Sequence, residues 1–269
     1  MHDLTLTGLI ICYLLLIFPL AIILWLRVPI LKSLGLALLR MTVQLLLVGF
    51  YLRFLFSLDH PAVNLAWLLI MILVADASVL SGSGLRLRRL GGGLFLAMAV
   101  GTLLPVLVFT GGILRLPRLL EAQYLIPIAG MVLGNCLRAD IVGLRAFYGA
   151  MHKNRNACRQ ALACGATLNE MIRPWYRDAL DAALAPTIAT MATVGLVSLP
   201  GMMTGVILAG ADPFTAIKYQ LAIMIAIFTG TALTVFLAIR FTLPLAFDPY
   251  GNLHETIFTS PTPASPARP

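Results

Sequence analysis

The sequence predicts an all-α integral membrane protein, a bundle of about seven transmembrane helices with a cytoplasmic coupling-helix segment. Three observations predict it. Hydrophobic residues make up 60% of the chain and charged residues only 11%, with mean hydropathy +0.94, whereas a soluble domain carries about a quarter charged residues. The apolar residues gather into runs of about 20, long enough to cross roughly 30 Å of hydrocarbon as helix. The Lys and Arg behind the net charge of +8 fall in clusters between those runs, a pattern of membrane topology rather than of nucleic-acid binding.

Reading the runs in order places spans near 6–26, 34–56, 61–80, 91–114, 124–144, 186–211 and 216–243. The first has no basic segment before it and is longer than a signal-peptide core, so it is expected to be retained as a span. One set of loops carries Arg27 and Lys32, then Arg86, Arg88 and Arg89, then Arg145, Lys153, Arg155, Arg159, Arg173 and Arg177, with Arg240 near the end of the last span. The opposite set carries only Arg53, Arg115, Arg118 and Lys218. Basic residues accumulate on the cytoplasmic side, which predicts an N-terminus outside and a C-terminus inside. Residues 1–258 read as one permease domain, and 259–269, dense in proline and poor in apolar side chains, as a disordered tail. Cys12, Cys136, Cys158 and Cys164 show no CxxC pairing and read as free thiols.

The polar stretch of about 145–185 is the longest departure from the bilayer. Within it Ala157 to Ala163 favours helix, Gly165 offers a sharp break, and Thr167 can cap a second short helix ending before Pro174. This string, RQALACGATLNEMIRP over 159–174, resembles the coupling loop of ATP-binding-cassette (ABC) permeases, with Gln160 where an acidic residue is expected. A plain cytoplasmic helical hairpin would read the same way.

The block VGLVSLPGMMTG, 194–205, followed by AGADPFTAIKYQ, 209–220, closely resembles the FetB family of bacterial iron-export ABC permeases, which also holds plant proteins linked to aluminium tolerance. PIAGMVLGN, 127–135, and RMTVQLLLVGF, 40–50, resemble the same family. The resemblance implies a non-catalytic permease subunit in the bacterial inner membrane, forming a homodimer and exporting iron or another metal ion. ATP and Mg would be used by a partner ATPase, with no cofactor on this chain. It further implies that the ATPase is seated by Ala161, Gly165, Ala166, Thr167 and Pro174.

Candidate pathway residues are Gln44, Asp76, Asn135, Asp140, Pro200, Gly201, Met202 and Met203. Pro200 lacks an amide proton and Gly201 is permissive, so the sixth span is expected to kink or unwind there, either to pack or to release carbonyls for a ligand. Gly201 and Gly205, like Gly130 and Gly134, also permit close helix approach. Met202 and Met203, with Met131 and Met191, are either soft metal donors or ordinary core residues. Arg40, Asp76, Arg138 and Asp140 fall near the cytoplasmic ends of their spans and are expected to line a vestibule, the arginines alternatively snorkelling to the headgroups.

Enzymatic constellations are lacking in the sequence. No Gly-rich loop ends in GK[ST], and His2, His60, His152 and His254 are scattered, which argues against ATP hydrolysis by this chain, a zinc centre or a hydrolase triad. Two other transport readings stay open: ABC export of a nucleotide sugar or other anionic solute, and an autonomous secondary transporter or channel relaying protons or cations through Asp76 or Asp140.

Overall fold

Apolar runs with few breakers form long helices, and the order of elements is α1 (Leu6–Leu14), α2 (Ile17–Trp25), α3 (Leu31–Leu58), α4 (Pro61–Ser83), α5 (Leu87–Leu107), α6 (Ala122–Lys153), α7 (Arg155–Ala163), α8 (Leu168–Thr193), α9 (Gly201–Leu208) and α10 (Pro213–Ala246). This computed structural model describes residues 6–248 and 250–259, and there is no strand among them. Of the expected disordered tail, 260–269 lies outside the described residues. The hydroxyl of Thr259, the first residue of that expected tail, donates to Gly84 O at 3.1 Å.

The chain gathers into two units, Met1–Asp59 and His60–Pro269. In the first, α1 and α2 make the apolar stretch Thr7–Trp25, followed by α3. Arg27 takes a left-handed conformation (φ 52°) at the turn between them, and the Tyr13 hydroxyl shares a 2.5 Å hydrogen bond with Thr42 Oγ1 across the pair. Phe18, Trp25, Leu39 and Phe50 are all exposed, as suits helices whose surroundings are lipid.

In the second unit α10 packs on α5, α6 and α8, and α6 packs on α4 and α8. The tightest crossing joins α5 to α10. A Cβ at Gly93 would stand 3.0 Å from Phe241 O, one at Gly101 would strike Thr234, and one at Gly230 would meet Val132 at 2.8 Å and Gly101 O at 3.0 Å. Small residues let backbones approach where apolar burial supplies no net drive between helices in lipid.

Six helical stretches among the described residues are long and apolar enough to cross a membrane: Thr7–Trp25, Leu31–Leu58, Pro61–Ser83, Arg89–Ile113, Ala122–Lys153 and Pro213–Ala246. The span expected at 186–211 is not one helix. Its first residues finish α8, the chain then leaves helix over 194–200, and the eight-residue α9 covers about 12 Å, too short to cross. The second correction concerns α8, which does not end before Pro174. It runs through Pro174 and Pro186 to Thr193. Each proline removes one ladder bond, but Met171, Ile172, Ala179 and Ala183 are buried along one side of α8, whose main neighbour is α6, and packing outweighs the local loss.

Gly230→Val should lower the melting temperature of the purified protein or abolish its monodisperse elution, since the new side chain meets backbone that no rotamer change relieves. Gly92→Ala, whose Cβ meets nothing within 4 Å, should leave both unchanged.

Candidate functional site

Beside the interruption of the predicted sixth span the second unit opens a cleft of about 710 Å³. Four pieces of chain build it, three of them helices whose spacing puts the lining residues on one face. From α6 come Met131, Asn135, Arg138, Ala139 and Val142; from α8, Ala183, Pro186, Thr187 and Thr190; from α10, Gln220, Ile223, Met224 and Ile227. Val194, Ser198, Leu199, Pro200, Gly201 and Met202 close the fourth side.

The non-helical stretch is a defined turn. Gly195 takes φ +88°, a value that side-chain-bearing residues rarely adopt, and its N–H donates to Ser198 O at 2.9 Å. Pro200, in extended conformation, caps α9, and the Thr204 hydroxyl donates to Pro200 O at 3.1 Å. Pro186 removes a second ladder bond one helical face earlier, and the Thr190 hydroxyl donates to Pro186 O at 2.9 Å.

The polar lining is mostly neutral. Asn135 Nδ2 donates to Met131 O at 2.8 Å, which leaves its carbonyl oxygen as an acceptor. Gln220 is 8% exposed, and its Oε1 has no hydrogen-bond partner among the described residues. Arg138 is the one charged side chain of the lining. A volume of this size is that of a small-molecule site rather than of a bare ion. No three His, Cys, Asp or Glu side chains among the described residues stand close enough to hold a metal ion.

Of the candidate pathway residues, Asn135, Pro200, Gly201 and Met202 line this cleft, and Met203 does not. Gln44 lies exposed on α3 in the other unit. Asp76 and Asp140 do not line a vestibule: they are 5% and 0% exposed. Asp140 faces Thr234 of α10 and Asp76 of α4, yet the Thr234 hydroxyl donates to Thr231 O at 3.2 Å. Neither Asp140 oxygen has a hydrogen bond among the described residues. Arg40 and Arg138, by contrast, are exposed. Gln220 closes the AGADPFTAIKYQ block but is not among the candidate pathway residues; the signal that would have found it is the one that marked Asp76, a polar residue inside an apolar span.

The coupling candidates form an elbow. Between α7 and α8, Gly165 takes φ +92° with open space around the position a Cβ would occupy. Thr167 opens α8 with a reciprocal cap: its hydroxyl accepts from Glu170 N at 3.3 Å and its own N–H donates to Glu170 Oε2 at 2.8 Å. Ala161 and Ala166 are half-buried on either side of the elbow, and Pro174 is exposed on α8.

The family described as "Uncharacterised protein family (UPF0014)" matches residues 6–247. A UPF0014 membrane protein of Synechocystis is 34% identical over 218 residues, 81% of this chain and 83% of that one. The probable iron export permease protein FetB of Escherichia coli is 32% identical over 222 residues, 82% of each chain, and the UPF0014 membrane protein STAR2 of rice is 32% identical over 83% of this chain and 77% of its own. No solved structure matches.

The Thr167 hydrogen bonds hold the Glu170 carboxyl below its ordinary value of 4.5. A depressed carboxylate stabilises the folded form above its unfolded pKa, and that contribution disappears as pH falls through the folded one. Amides of the first turn of α8 should therefore lose hydrogen-exchange protection on acidification below about 4.5, after correction for intrinsic rates. Thr167→Ala should already show the unprotected level at neutral pH.

Proposed function

The chain belongs to the UPF0014 family of membrane proteins, and on that premise we propose that it is the permease subunit of an ABC transporter, exporting iron or another metal ion. It works as a homodimer in the bacterial inner membrane, driven by a separate ATPase that uses ATP and Mg. The observation that carries this reading is α8 itself. One helix of 26 residues, about 39 Å long, starts at the Gly165 elbow and ends at the cleft. An ATPase seated on the elbow has a continuous lever to the turn at Val194–Pro200. Force applied at Thr167 reaches the cleft wall through Ala183, Pro186 and Thr190, and the turn lets α9 adopt a different angle to α8 while both helices stay intact. Orientation supports the same reading, since the elbow lies among the basic loops expected on the cytoplasmic side.

In the cleft, the carbonyl oxygens of Asn135 and Gln220 and the sulfurs of Met131, Met202 and Met224 offer weak, neutral donors. Such a lining suits a conduit, which must release what it takes up. The cleft is large enough for a metal ion that keeps several of its ligands. A second reading, export of an anionic solute such as a nucleotide sugar, is favoured by Arg138 as the one charged group of the lining.

The deciding experiment is reconstitution with the cognate ATPase. ATP-dependent metal flux is expected, and flux driven by an ion gradient alone, with no ATPase, would overturn the proposal. Gly165→Leu should lower ATP-driven flux at least tenfold while the protein still folds and elutes as a monodisperse species, because the left-handed elbow disfavours a side chain by about 1–2 kcal/mol, a modest cost for the whole fold, while no neighbour is struck. Arg138→Gln separates the two cargoes. Metal flux should stay within about twofold, whereas loss of transport of an anionic solute with metal flux undetectable would select the second reading.

A further inference from the structure

Residues 247–248 and 250–259 follow the last long helix and fasten two separate breaks in the chain, the α4–α5 turn and the α6–α7 junction, at one end of the second unit. Arg86 N donates to Ile257 O at 2.7 Å and Thr259 N to Gly84 O at 3.0 Å, fixing the segment to the α4–α5 turn. Phe258 stacks edge-on against His152 at the end of α6, with centroids 5.0 Å apart. Glu255 pairs with Arg155 at the start of α7 at 2.5 Å. Ile257 is fully buried.

Ahead of that clasp a second turn rests on α7. Asp248 Oδ1 accepts from Tyr250 N at 2.9 Å and from Asn252 N at 2.7 Å, which holds the carboxyl of Asp248 below its usual range. Gly251 takes φ +79° and lies so close to α7 that a Cβ would stand 2.8 Å from Leu162. The turn thereby presents Tyr250 outward, 83% exposed, on backbone pinned from both sides. A rigid exposed aromatic set among polar groups is the side-chain type that anchors protein interfaces. Lipid is a poor alternative occupant, because the same turn carries Asp248, Asn252, His254 and Glu255.

We infer that the turn 250–253 and the clasp 255–259 form the second half of the surface that receives the ATP-hydrolysing subunit, with Tyr250 as its anchor and the Arg155–Glu255 pair setting the position of α7 beside it. The inference rests on the function proposed above. The partner is committed by continuity: the turn sits on Leu162, three residues before the Gly165 elbow, so one subunit docked at the elbow also reaches Tyr250. Its matching surface needs an apolar pocket for the phenol ring and an acidic rim for the exposed Arg159. Glu255 is exposed and Arg155 half-buried, and a pair open to solvent on one side contributes little stability; its role is register.

The test titrates the separately purified cognate ATPase onto the full-length permease in nanodiscs, reading binding and stimulated hydrolysis for wild type, Tyr250→Ala, Glu255→Arg, and Glu255→Arg combined with Arg155→Glu. Tyr250→Ala is expected to weaken binding about tenfold with an unchanged melting temperature. Glu255→Arg should lower stimulation at least threefold, and the charge exchange should restore it. If Tyr250→Ala and Glu255→Arg bind and stimulate like wild type while Gly165→Leu does not, this inference is wrong and the proposed function stands. If the wild-type permease binds no ATPase, both fail.

Discussion

Within hydrocarbon a backbone N–H or C=O that lacks a partner costs several kcal/mol, so a membrane-embedded chain is helix nearly everywhere and departs from helix only where side chains or its own turns make good the loss. The second unit obeys this constraint, and its most informative place is where the helical ladder stops. Between Val194 and Pro200 the Gly195 to Ser198 hydrogen bond replaces part of the missing ladder, and the Thr190 and Thr204 hydroxyls bond back to the carbonyls of Pro186 and Pro200. The interruption is thus supported at both ends, and the cleft forms beside it rather than through disorder.

The continuity of α8 links this interruption to the elbow. Two prolines inside a helix normally argue for its end, yet α8 lies against α6 and stays helical past both. Up to Asp181 it carries Glu170, Arg173, Arg177, Asp178 and Asp181, and from Ala182 onward it has no charged side chain, so one helix passes from charged to uncharged sequence without changing structure. That passage places the Gly165 elbow and the cleft at opposite ends of a single rod.

Much of this organisation is legible in the residues, for reasons that differ from element to element. The spans before Lys153 and after Asp212 show because apolar composition alone decides them. Their ends do not, because helices continue into polar sequence: α6 runs past Leu144 to Lys153, where Arg145 and Lys153 can reach water while the helix persists. The interruption at Pro200 is legible from proline chemistry, and so is the cap at Thr167. Pro174 misleads, since its effect depends on burial of neighbours that no local pattern reveals. The segment after Phe247 is illegible for a similar reason: its order comes from Gly84, Arg86 and Arg155, all far away in sequence. Depth is the remaining difference. Asp76 and Asp140 stand out as charges within spans, but their enclosure among α4, α6 and α10 comes from packing, not from position along a helix.

The glycine crossing of α5 and α10 has a mechanical consequence. With Gly101 against Thr234 and Gly230 against the Gly101 carbonyl, neither helix can slide along the other without driving a side chain into main chain. The two behave as one stiff post. The departures from helix lie away from the post, in the turn from Val194 to Pro200 and in the left-handed joint at Gly165, so the proposed motion of this unit would be taken up at the two joints that flank α8.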